Sequence, residues 1–86
     1  MNAPSSMPIL CGSFAENRSE TVVVALDEFQ GHRLVDVRAH YQDGDLTRPT
    51  KKGLSIAVGK IDALIDTLQQ ARAEAIRHGF LDGGGA

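Results

Sequence analysis

His32-Arg33-Leu34-Val35-Asp36-Val37-Arg38-Ala39-His40-Tyr41 decides the fold, because its residues alternate. Successive side chains of a strand point to opposite faces. Val35, Val37, Ala39 and Tyr41 therefore share one face, and Leu34, Asp36, Arg38 and His40 the other. The first face is apolar and the second mostly polar, as in an antiparallel sheet wetted on one side. Just upstream, Thr21-Val22-Val23-Val24-Ala25-Leu26 carries three consecutive valines, which lose side-chain freedom in a helix and suit a pleated surface. Asp27-Glu28-Phe29-Gln30-Gly31 is expected to turn the chain between these strands, with Gly31 free to take a positive φ.

Downstream, Asp43-Gly44 signals a hairpin, and a further strand is expected from Leu46 to Ala57. Pro49 lacks an N–H donor, which confines that portion to an edge, a bulge or an irregular crossing. A weaker strand, Ile9 to Ala15, closes on the polar turn Glu16-Asn17-Arg18-Ser19. The last element changes period. Ile61, Leu64, Ile65, Leu68, Ala71, Ala75 and Ile76 recur at three and four residues, forming the apolar stripe of a helix. Asp62 and Asp66 stand early while Arg72, Arg77 and His78 stand late, which suits the helix dipole, and Gly79 is a natural stop. Strands followed by one helix on an antiparallel sheet wetted on one side give an α+β class with a C-terminal amphipathic helix. One domain is expected over residues 9–79, with flexible tails at 1–8 and 80–86.

At 86 residues the chain is short. A domain of this size buries only about 60% of its unfolded surface, so a subunit interface is expected to supplement its core. Cys11 is the single cysteine and has no intrachain partner. No apolar run approaches the ~18 residues of a membrane span, and the first residues lack the basic start of a signal peptide. The expectation is a cytoplasmic, nucleoid-associated protein without a membrane partner.

Catalytic constellations are missing from the sequence. His32, His40 and His78 lie on different elements, without metal-ligand spacing to one another or to Cys11. Asp43 and Asp45 flank a turn glycine, where aspartate is expected for local hydrogen bonding. Ser55 has no nucleophile-elbow context. We expect no enzyme, no metal and no cofactor.

The net charge of −2 hides a pattern. Residues 1–30 sum to −3, residues 31–60 to +3 and residues 61–86 to −2. Arg48, Lys51, Lys52 and Lys60 follow one another without an intervening acid. A solvated strand-loop face is the plain account of such a run. Phe29 and Tyr41 bracket the strand bearing Arg38, however, and cations beside exposed rings suit single-stranded nucleic acid. The plain account of both rings is packing, since Tyr41 continues the Val35–Val37–Ala39 face.

The ordered string Asp27-Glu28-Phe29-x-Gly31, Leu34-Val35-Asp36-Val37-Arg38-Ala39-His40-Tyr41 and Pro49-Thr50-Lys51-Lys52-Gly53-Leu54-Ser55-Ile56, followed by an amphipathic helix, resembles one known family. It is similar to the single-stranded-DNA-binding domain of the transcriptional positive cofactor four family, in the compact form of its bacterial members. The resemblance runs from Thr21 to Leu68. It implies a curved four-stranded antiparallel sheet followed by the helix, and a homodimer joined through helices and sheets, with Ile61, Leu64, Ile65 and Leu68 at the interface. It also implies sequence-tolerant binding of single-stranded DNA, with RNA or melted duplex as further ligands, in transcription regulation or genome maintenance. The transcription machinery would be a partner. By position, Arg38, Arg48, Lys51 and Lys52 would meet phosphates, and Phe29 and Tyr41 bases. Tyr41 stands where eukaryotic relatives carry tryptophan, and Asp27 and Gln30 where they carry basic residues. The alternative reading is a small dimeric protein-interaction module that binds no nucleic acid, which the overall acidity favours.

Overall fold

The structure is a computed structural model and describes residues 7–82. Most of the two tails expected at the termini lies outside those residues. Four strands form one antiparallel sheet in sequential order: β1 (Ile9–Ala15), β2 (Glu20–Phe29), β3 (His32–Asp43) and β4 (Leu46–Ala57). A single 3-10 turn, Val58–Lys60, leads into the helix α1 (Ile61–Arg77). The expected α+β class, four antiparallel strands followed by one helix, is found.

The differences lie at the ends of the central hairpin. Asp27, Glu28 and Phe29 do not turn; they continue β2 and pair with Leu34, Arg33 and His32. The turn is only Gln30-Gly31, with φ of 52° and 81°. Two successive positive φ values match the right-handed twist of the flanking strands, which makes a two-residue hairpin the shortest stable closure. At the other end Gly44, with φ of 66°, turns the chain into β4.

Register then fixes the faces. Val22 pairs with Ala39, Val24 with Val37 and Leu26 with Val35, while Val37 and Val35 pair onward with Leu54 and Ile56. The opposite, polar face aligns Val23 with Arg38, Ala25 with Asp36, and Asp36 with Ser55. Both edge strands are irregular. β1 slips between Leu10 and Gly12, and the β3–β4 ladder slips between Arg38 and His40, where Gly53 and Pro49 are their partners. Pro49 thus lies on an edge strand beside a bulge, where its missing N–H breaks no ladder.

Helix α1 ends on a Schellman motif. Phe80 N–H donates to the Ala75 carbonyl at 2.7 Å, Gly79 N–H to that of Ile76 at 3.1 Å, and Gly79 takes a φ of 79°. The helix does not close on the sheet. None of its residues is buried, and an apolar cleft of about 460 Å³ separates it from the sheet. Phe14, Val35, Val37 and Leu54 line the sheet side; Leu64, Ile65 and Leu68 line the helix side. Only Ala25, Val35 and Ala39 are buried hydrophobics among the described residues. The radius of gyration is 15.6 Å, against about 12 Å for a compact chain of this length. No described helix is long and apolar enough to cross a membrane.

Candidate nucleic-acid interface

The residues singled out from the sequence fall into three places. Tyr41 and Arg48, direct register partners, lie towards the β3–β4 hairpin end, and Lys51 and Lys52 follow further along β4 at the ladder break. Arg38 lies at mid-strand on the polar face, opposite Gly53. Phe29 sits at the far end, paired with His32. His32 and Tyr41 are nine residues apart on β3, roughly 30 Å at ~3.3 Å per residue. One chain therefore does not bring the two rings together. Both are open to solvent, Phe29 63% and Tyr41 42% exposed, so neither packs in a core of the single chain.

The cations differ in how far they are already engaged. Arg38 is half-buried and bound within the sheet. Its Nε donates to both oxygens of Asp36 at 3.2 Å, its Nη2 to Asp36 Oδ1 at 3.0 Å, and its Nη1 to the Thr50 carbonyl at 3.0 Å. Asp36 also accepts from the Ser55 hydroxyl at 2.6 Å. Partial burial pushes the Asp36 carboxyl up. The hydrogen bonds from Arg38 and Ser55, with the Arg38 and His40 charges, more than reverse that, leaving it below the ordinary aspartate value.

Lys52 Nζ donates to Glu20 Oε1 at 3.1 Å across the sheet. That contact is the main reason the Glu20 carboxyl lies below its usual value and the Lys52 ammonium above its own. Arg48 pairs with Asp43. Lys51 has no ion-pair partner among the described residues, which makes it the most available cation of the cluster.

Sequence reasoning missed the acids that hold these cations. Asp36 and Arg38 are two apart on one strand face, a signal the alternation carries. Glu20 and Lys52 meet only once the register of three strands is known. Among the described residues no cluster of three or more His, Cys, Asp or Glu could hold a metal ion.

An open four-stranded antiparallel meander and one trailing helix define a small sheet-and-helix module. The family model Transcriptional Coactivator p15 (PC4) matches residues 16–67, more than half of the chain. The chain belongs to this family, which is one of nucleic-acid-binding coactivators rather than enzymes. Two crystal structures of a PC4 homolog from Burkholderia pseudomallei K96243 share the fold at 24% identity. The tetragonal form gives a TM-score of 0.70 over 76% of this chain and 97% of that one. The orthorhombic form gives 0.71 over 76% and 89%. No curated protein matches the sequence.

Proposed function

We propose that the chain is a homodimeric, sequence-tolerant binder of single-stranded DNA, with RNA and melted duplex as further ligands, acting in transcription regulation or genome maintenance. The observation that carries the reading is the row across β2, β3 and β4 where the exposed Tyr41 pairs with Arg48 on one side and with Glu20, which Lys52 reaches, on the other. Cations along a backbone track and a ring for stacking are the two requirements of single-strand binding, and stacking contributes about 1–3 kcal/mol per base. Arg48, Lys51 and Lys52 contact phosphates and Tyr41 stacks. Arg38 keeps two of its five N–H groups for a phosphate, since three already have partners. Phe29 offers a second platform at the far end of the strand pair. The transcription machinery is the protein partner that coactivator membership suggests.

The dimer reading rests on the open cleft. Ile65 and Leu68 are 46% and 58% exposed and Phe14 60%, against three buried hydrophobics among the described residues. A second copy, contributing the same Ile61, Leu64, Ile65 and Leu68 face, covers this surface and supplies the missing core. Such a pairing is self-complementary, as a twofold interface requires.

The pairing of Arg38, Arg48 and Lys52 with acids of their own chain favours a second reading, a dimeric protein-interaction module. Fluorescent oligo-dT titrated at low salt separates the two. Saturable binding that weakens steeply with salt supports the first, and no saturable binding refutes it.

A further inference from the structure

We infer that Thr50 is a positioning residue for the Lys51–Lys52 cations, an assignment that deepens the proposed function and rests on it. The β3–β4 ladder breaks between Arg38 and His40, so the segment Thr50–Lys52 crosses Ala39 without regular pairing. A stretch of that kind, on an edge strand and bearing two lysines, would be mobile unless something else held it. Thr50 supplies three hydrogen bonds in place of the ladder. Its hydroxyl donates to the Ala39 carbonyl at 2.9 Å and accepts from the Lys52 N–H at 3.0 Å. Its carbonyl accepts from Arg38 Nη1 at 3.0 Å.

The other ends of these bonds are rigid. Ala39 is one of the three buried hydrophobics, and Arg38 is locked by Asp36, which Ser55 holds in turn. Gly53 completes the clamp. A Cβ there would approach the Val37 carbonyl oxygen and lie 2.6 Å from Arg38 Cα, so the backbones touch where the bulge ends. The chain of contacts therefore runs from Ser55 and Asp36 through Arg38 to Thr50, and from Thr50 to the Lys52 backbone. Fixing the lysine backbones before binding lowers the ordering entropy that binding must otherwise overcome.

The test compares Thr50→Val, which keeps the branched shape and removes the hydroxyl, with Thr50→Ser, which restores it. Two readouts apply to the full chain: amide hydrogen exchange at Lys52, and affinity for oligo-dT at low salt. Thr50→Val should speed Lys52 exchange at least tenfold. It should weaken oligo-dT about 3- to 10-fold, the scale of one net hydrogen bond, and lower the thermal midpoint by about 4–8 °C. Thr50→Ser should recover both. Unchanged Lys52 protection in Thr50→Val, or unchanged affinity where the wild type binds, overturns the assignment. A wild type that fails to bind oligo-dT refutes the proposed function instead, and Lys52 exchange still decides whether Thr50 holds the segment.

Discussion

Replacing Leu68 with alanine is the sharpest probe of how this chain completes its core. Leu68 lies on the helix side of the open cleft and is 58% exposed in the single chain. Full burial of a leucine side chain is worth about 1.5–3 kcal/mol. The share left for a second copy to bury is therefore roughly 1–2 kcal/mol, and twofold symmetry doubles it to about 2–4 kcal/mol per dimer. That weakens the dimer by about 30- to 700-fold, at ~1.4 kcal/mol per tenfold. Sedimentation velocity over a concentration series measures it, and the midpoint of thermal unfolding should depend on protein concentration as for any coupled dimer. Gln70→Ala, on the opposite side of the helix, is the matched control and should leave association unchanged. A Leu68→Ala dimer within about twofold of wild type would show that the cleft is not the interface.

Other outcomes follow from single contacts. Gly53→Ala forces a Cβ against the Arg38 backbone at 2.6 Å, and overpacking of this kind costs about 1–3 kcal/mol. Calorimetry should record a midpoint lower by roughly 5–20 °C. Glu20→Gln releases Lys52 from its carboxylate and should tighten oligo-dT about two- to fivefold at low salt, an effect that fades as salt screens the exposed pair. Tightening that persists at high salt would point to a different cause. Asp36 ionises more easily folded than unfolded. Its stabilising contribution is therefore complete above the unfolded value of about 3.9 and is lost as pH falls through the lower folded value. Asp36→Asn should destabilise by about 1–2 kcal/mol near neutral pH, by loss of charged hydrogen bonds, and flatten the acid limb of denaturant midpoint against pH. An acid limb parallel to wild type would remove Asp36 from that role.

Much of this architecture was legible because it rests on local rules. The alternation from Leu34 to Tyr41 separated the two faces as the register has them, and Leu46 to Ala57 is a strand despite Pro49. The stripe from Ile61 to Ile76 marked the helix, and Gly79 its end. The turn at Asp27 to Gly31 was read too long. Charged residues look like turn formers, yet on an exposed strand end Asp27 and Glu28 keep their pairing and point to water. What the stripe of α1 packs against was not legible, since no periodicity tells whether a stripe packs within a chain or against a copy.

The basic run of the candidate site is legible in the sequence, and the acids that pair with it are not. Lys52 and Glu20 are 32 residues apart and meet through two ladders, and Thr50 acts through a bulge whose position depends on the Arg38–Gly53 approach. Both are consequences of register. Each changes how the cluster is understood: a basic run in the sequence becomes, in the fold, a set of held cations with Lys51 the most available among them.

The salt dependence of oligo-dT binding, in wild type and in Lys51→Ala and Lys52→Ala, tests the central claim most directly. A single-strand binder with Z phosphate contacts loses affinity with a log–log slope of roughly −0.7Z. Saturable wild-type binding is predicted, with each lysine substitution flattening the slope by about 0.7. Absence of saturable binding at low salt, or slopes identical in all three proteins, would contradict it.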